Sequence, residues 1–208
     1  TSGIYLDFDK IVGGTNTLYG IRNTPNDTGS VYIINDSMGE FYSFIANVDN
    51  RHRGGTYRFI SITTVGNDVF GVTASGWVYK IGSTTENTTL WGVVLIFVGE
   101  FNKIVGGTTK LYGNAKSDNY IPYLIEQTRF EQYGGTWRFK DIAVVGDILY
   151  GLDSAGTGVY KIIGQGITPG FFSTSFATLP ASCNYIIGGN KYLYAYNNSN
   201  SYRINVPN

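Results

Sequence analysis

Hydrophobic residues in this chain fall in short runs separated by Gly, Asn, Asp, Ser and Thr, and the runs come back. Residues 10–20, KIVGGTNTLYG, recur as KIVGGTTKLYG at residues 103–113. The stretch is too apolar for a solvated loop and too rich in glycine for a helix, so it predicts a strand, a Gly turn and a second strand. An aromatic-Gly step in the second strand marks five copies: TLYG ending at Gly20, DVFG at Gly71, KLYG at Gly113, ILYG at Gly151 and a degenerate YLYA at Ala195. Each follows an apolar run, at Ile11-Val12, residues 62–65, Ile104-Val105, residues 142–145 and Ile186-Ile187. Two more strand-like runs come after it, GWVYKIG (76–82) and LWGVVLIFVG (90–99) in the second copy, GVYKIIG (158–164) and FFSTSFATL (171–179) in the fourth.

Four short strands in each repeat of 38 to 51 residues predict an all-β fold, a five-bladed β-propeller with four-stranded antiparallel blades. The expected blades cover residues 8–52, 53–100, 101–133, 134–180, and 181–208 together with 1–7, in a single domain over 1–208. After Cys183 there is room for three strands only, NYIIGG, KYLYAY and SYRINV. The unassigned GIYLDF at residues 3–8 is therefore expected as the outer strand of the last blade, latching the termini and protecting otherwise open edges. Copies two and four share a lead-in, RGGTYRFISI and YGGTWRFKDI, while copies one, three and five carry the double glycine. The blades thus alternate, as from duplication of a two-blade unit, and a ligand site need not be present in all of them.

Composition agrees. Of 208 residues only 14% are charged, against 28 Gly, 17 Tyr and 12 Phe, which suits turns and half-buried strands. Lys+Arg and Asp+Glu are both 15, so no electrostatic excess is available for phosphate backbones or anionic membranes, and nucleic acid is not an expected partner. The run LWGVVLIFVG is about half the length of a spanning helix, so membrane insertion is not expected. Cys183 is the single cysteine and reads as a free buried thiol, not a bridge or a nucleophile. Sequons begin at Asn26, Asn35, Asn87 and Asn197, little above chance in a chain this rich in Asn, Ser and Thr. With them goes an expectation of an extracellular setting.

Candidate chemistry gathers in RGGTYRF (53–59) and YGGTWRF (133–139), which connect the outer strand of one repeat to the inner strand of the next. Gly54-Gly55 and Gly134-Gly135 would let a ligand approach the backbone, Tyr57 and Trp137 offer ring faces, and Arg58 and Arg138 offer planar donors. A ring face for C–H groups with donors for hydroxyls is what a neutral sugar needs. The competing reading is a tight turn with an aromatic plug between blades. Trp91 either lines the same crevice or belongs to the core, and Trp77 is expected to pack between sheets. Asp9 and Asp141, with Asn102 and Asn184, lie on inner strands as a solvated rim or a polar ring, and a glycosidase would need more converging carboxylates. His52, the single histidine, lies in RHRGG, which could favour an acidic sugar or sulfate; nucleophilic triads and His-rich metal sites are excluded by inventory. No cofactor fingerprint occurs, since VGGT opens a strand and not a helix.

GGTYRFISITTVGNDVFGVTASGWVYKIG, followed by WGVVLIFVGE, resembles the repeat of tachylectin-type five-bladed propeller lectins. In that family a GGW turn leads to an aromatic-rich strand, a Gly turn, an LYAV-like strand and a YK strand. Copies two and four match most closely, with Thr56 and Thr136 at the family's Trp and the aromatic shifted by one place. The resemblance implies a non-catalytic lectin for N-acetylhexosamine-type sugars, with glycans as partners and multivalency from shallow sites between blades; no cofactor or metal is expected. The alternative is a propeller used as a protein-interaction or structural module, with a glycoside hydrolase less favoured.

Overall fold

The computed structural model describes residues 8–13, 18–24, 27–34, 43–46, 59–66, 68–83, 94–97, 100–116, 121–125, 130–132, 137–164, 173–189 and 191–207. All regular structure among them is strand. The chain divides into two compact units, Thr1–Val98 and Gly99–Asn208.

The first unit holds two four-stranded antiparallel sheets. One is β1 (Lys10–Gly13), β2 (Leu18–Thr24), β3 (Asp27–Ile34) and β4 (Ser43–Ala46) in chain order. The other is β5 (Phe59–Val65), β6 (Asp68–Thr73), β7 (Val78–Ser83) and β8 (Val94–Phe97). The second unit holds β9 (Phe101–Gly106), β10 (Leu111–Ala115), β11 (Ile121–Ile125) and β12 (Phe130–Gln132), then β13 (Asp141–Val145), β14 (Ile148–Leu152), β15 (Gly158–Ile162) and β16 (Ser173–Thr178). Its last sheet has three strands, β17 (Tyr185–Gly188), β18 (Tyr192–Tyr196) and β19 (Ser201–Asn205). Every aromatic-Gly step lies in the second strand of its sheet and every preceding apolar run in the first, as the repeats predict. The segment proposed to add a fourth strand to the last sheet, residues 3–8, lies outside the described residues apart from Phe8.

One row of residues crosses every sheet. Ile11, Gly20 and Tyr32 stand opposite one another on the first three strands of sheet one, as do Ile62, Gly71 and Tyr79, Ile104, Gly113 and Tyr123, and Ile142, Gly151 and Tyr160. A phenylalanine twelve positions before each glycine, Phe8, Phe59, Phe101 and Phe139, lies flat where the glycine has no side chain. A Cβ added to Gly113 would come within 2.6 Å of the Phe101 ring, closer than real Cβ contacts, and at Gly20, Gly71 and Gly151 the crowding is similar. The tyrosine of the row meets the Phe edge-on or tilted, with ring centroids 5.8 to 6.1 Å apart. In the last sheet the row is Ile186, Ala195 and Tyr202, and Cys183 takes the Phe place. A smaller side chain above leaves room for a methyl group below, so Cys183 and Ala195 pack fully buried in one cluster with Tyr202.

Neighbouring sheets inside a unit are joined by the aromatic of the second strand. Tyr19 is buried among Phe59, Ile62, Val69 and Tyr79 of the following sheet, Tyr112 among Phe139, Ile142 and Leu149, and Tyr150 among Cys183, Ile186 and Leu193. Tyr194, the same position in the last sheet, is 37% exposed.

The alternation of the repeats appears in the first hairpin of each sheet. In copies two and four the hairpin turns through two residues, beginning at Gly66 (φ 56°) and Gly146 (φ 63°), the left-handed conformation such turns require. In copies one, three and five it needs four residues. The double glycines do not serve the turn conformation, since neither Gly107 nor Gly188 has positive φ. One glycine of the third and fifth pairs makes space instead: a Cβ on Gly107 would collide with the Gly146 carbonyl and Asp147, and one on Gly188 with the Val144 backbone.

At this contact Asp147 accepts hydrogen bonds from the Thr109 amide (2.8 Å), the Thr109 hydroxyl (2.8 Å) and the Lys110 amide (3.2 Å). Partial burial raises its pKa, but the Thr109 and Lys110 hydrogen bonds and the Lys110 charge outweigh this and hold it below the usual carboxylate range. A depressed Asp pKa stabilises the fold above the unfolded value near 4, and that contribution disappears as pH falls through the folded value. Asp147→Ala is therefore expected to lower stability at neutral pH by about 1 kcal/mol. In urea melts the difference from wild type should narrow as pH falls through the folded-state pKa of Asp147.

Gly151→Ala is expected to destabilise by about 1–3 kcal/mol because the methyl group meets Phe139. Combined with Phe139→Cys, which copies the last repeat, the two changes should cost less than their sum in the same melts.

Candidate functional site

The lead-in to β13 carries Trp137, Arg138, Phe139 and Lys140, and its geometry follows from the Phe–Gly row. Phe139 is fully buried on Gly151 and fixes the chain there. Two residues earlier, the Trp137 ring stacks on Phe139 at 14° with centroids 6.5 Å apart, and lies 5.1 Å from the half-buried Tyr160. The indole is backed by two rings yet 43% exposed. Arg138 is exposed. Trp137 is thus a rigid aromatic surface open to solvent, a form suited to stacking against the C–H face of a ring.

Lys140 follows a different course. Its ammonium donates to Asn184 Oδ1 (2.8 Å) and to the Cys183 carbonyl (3.2 Å), tying β13 to the entry of the last sheet. Asp141 is similarly engaged. One carboxylate oxygen pairs with Lys103 at 2.6 Å and the other accepts the Ile186 amide at 2.8 Å, so a single side chain holds the first strands of three successive sheets. Asp141 is a lateral tie and not a solvated rim residue, because both oxygens are used and the group is buried. Asp9 is exposed, Asn102 half-buried and Asn184 exposed. Among the described residues no three His, Cys, Asp or Glu side chains gather where they could hold a metal ion.

No protein-family model matches the chain, and no curated protein matches it. Solved structures match along nearly its whole length. Human WBSCR16 matches at 13% identity with a TM-score of 0.65, over 94% of this chain and 60% of that one. The CRINKLY WD40 ectodomain of the Arabidopsis thaliana receptor kinase ACR4 matches at 10% identity and 0.58, over 97% and 66%. The fold is a β-propeller. YCF48 bound to D1 peptide is a further match, at 10% identity and 0.55, over 93% and 63%. The chain spans less than two thirds of the length of these three chains.

Of the candidate residues, the propeller structure describes Trp137 and Arg138; Gly54, Gly55, Tyr57, Arg58, Trp91, Gly134 and Gly135 lie outside the described residues, as does His52. Trp77 is not packed between sheets as expected but 37% exposed. It sits just outside the β6–β7 pairing, in a turn where the Thr73 hydroxyl accepts the Trp77 amide and Gly76 has φ 83°. Cys183 is buried and free, and burial pushes its thiol pKa up against the opposing Lys140 charge, which favours the protonated thiol. Of the four sequons, that at Asn197 is described. Its amide nitrogen donates to the Ser182 carbonyl and its oxygen accepts the Ser199 and Asn200 amides, which engages the side chain in a turn.

Sequence reasoning missed the backing of Trp137 by Phe139 and Tyr160. The signal was present as the twelve-residue Phe-to-Gly spacing, repeated four times. Because Trp137 is partly open while Phe139 is fully buried, Trp137→Ala is expected to cost about 1–2 kcal/mol through its contacts with Phe139 and Tyr160. Phe139→Ala, measured in the same denaturant titration, should cost about 3–5 kcal/mol.

Proposed function

We propose that this chain is a five-bladed propeller, one blade for each sheet, that binds carbohydrate without catalysis. The observation that carries the reading is the Trp137 ring, held rigidly by a buried aromatic base and left open on its outer side. Neutral sugars bind to such rings through C–H contacts, and hydroxyls are met by planar donors such as Arg138. The resemblance of the second and fourth repeats to tachylectin-type lectins favours N-acetylhexosamines, an extracellular setting, and Gly134, Gly135, Trp137 and Arg138 as one site, with Gly54, Gly55, Tyr57, Arg58 and Trp91 as its counterpart. Weak single sites gain avidity when a glycan surface engages more than one at a time.

A second reading is a peptide- or protein-binding propeller. It draws on two structural matches, YCF48 bound to D1 peptide and yeast RCC1 bound to Kap60, and the same exposed tryptophan would serve as an anchor there.

A glycan array carrying terminal N-acetylglucosamine and N-acetylgalactosamine separates the two. The wild-type chain, clustered on a bead, is expected to bind a subset of these glycans, and Trp137→Ala to lose them while it still melts cooperatively. Absence of binding by clustered protein, or binding indifferent to Trp137→Ala, would sink the carbohydrate reading.

A further inference from the structure

We infer that the last sheet of this chain is covered by the first sheet of a second copy, so that the protein pairs with itself. The inference goes beyond the carbohydrate reading and does not depend on it. It starts from the way sheets join inside each unit. Tyr19, Tyr112 and Tyr150 each enter the following sheet against an isoleucine of its first strand and a leucine or valine of its second. Those receiving side chains are fully buried, as at Ile142 and Leu149. Two faces lack this arrangement. On the first sheet the receiving positions are Ile11 and Leu18, on one face by register, and they are 54% and 48% exposed. On the last sheet the entering position is Tyr194, which is also open.

Around Tyr194 the register puts Tyr185, Ile187, Tyr192 and Tyr196 on the same face, with the Arg203 guanidinium 5.0 Å from the centre of the Tyr192 ring. Tyr185 and Ile187 are exposed, whereas Asp141 and Ala143, at the same places in the sheet before, are buried. A contiguous apolar face of this kind, rimmed by a charge, marks an interaction surface. The occupant follows from continuity with the joints already formed. An aromatic at this position is received by an isoleucine and a leucine or valine, and Ile11 with Leu18 is such a pair standing open. Both halves are open in the single chain, so a second copy supplies each with what it lacks. Exchanged in both directions, the contact is made twice and closes a two-fold pair. Each chain keeps its five sheets; what changes is whose first sheet lies against the fifth.

Sedimentation velocity over a concentration series tests the pairing, and cysteine variants locate the contact. Wild type is expected to pass from monomer to dimer as concentration rises. Tyr194→Asp and Leu18→Asp, both at exposed positions, should stay monomeric while still melting cooperatively. Leu18→Cys chains mixed with Tyr194→Cys chains should form a disulfide-linked pair under mild oxidation, while neither variant links to itself; Cys183 is buried and stays out of the exchange. A wild type that remains monomeric throughout, or a dimer that survives both aspartate substitutions, overturns the inference. So does a chain carrying both Leu18→Cys and Tyr194→Cys that closes its disulfide within itself. Each of these results leaves the carbohydrate reading standing.

Discussion

The structure depends on a phenylalanine ring resting on a glycine. In four of five sheets the ring occupies the volume a side chain on the second strand would need, and the tyrosine opposite that glycine closes the ring in from the third strand. Burial of the Phe59, Phe101 and Phe139 rings contributes about 1.5–3 kcal/mol each, and the tilted aromatic pair adds about 0.5–1.5 kcal/mol. The same contact fixes where the chain enters each first strand, since the Phe sits at or just before its start. The last sheet keeps the geometry with smaller parts, trading a ring for a thiol above and a hydrogen for a methyl below. The methyl group below takes up part of the volume that the ring gives up above, and such compensated changes are tolerated better than either alone.

Once the rows are set, neighbouring sheets inside each unit are held by few but specific contacts. The tyrosine before the glycine enters the next sheet's core, and polar ties run beside it: Lys10 to Ser61, Lys103 to Asp141, Asp141 to the Ile186 amide. Where a four-residue loop faces a two-residue turn, Asp147 gathers the loop's amides. In the second unit the four-residue loops of the third and fifth repeats thus fit closely beside the two-residue hairpin of the fourth.

Much of this could be read from the chain itself. The apolar runs and aromatic-Gly steps lie where the repeats place them because strand burial imposes a short local period that sequence displays directly. What escaped depended on contacts that no local pattern displays, some inside a repeat and some between repeats. Phe59, Phe101 and Phe139 looked like ordinary strand or lead-in residues until the glycine twelve positions later explained them. Asp141 read as a rim carboxylate because nothing local reveals that Lys103 and the Ile186 amide converge on it. The double glycines read as turn residues, whereas the neighbouring backbone is what excludes a side chain at Gly107 and Gly188. Trp77 was expected inside because tryptophan is usually buried, but a turn held by Thr73 presents it outward.

Trp137 joins the architecture to the proposed carbohydrate binding. It lies one step beyond the Phe139–Tyr160 pair, so the rigidity of the blade is passed to a ring that solvent still reaches. A preformed surface of this kind binds without an ordering cost, which is how a small, shallow contact becomes useful. The most direct measurement is a fluorescence titration of a chain in which Trp77 and Trp91 are replaced by Phe, leaving Trp137 as the sole indole. The account predicts that N,N′-diacetylchitobiose shifts Trp137 emission to shorter wavelength in step with binding, as the sugar covers the ring. Binding that leaves this emission unchanged would contradict it.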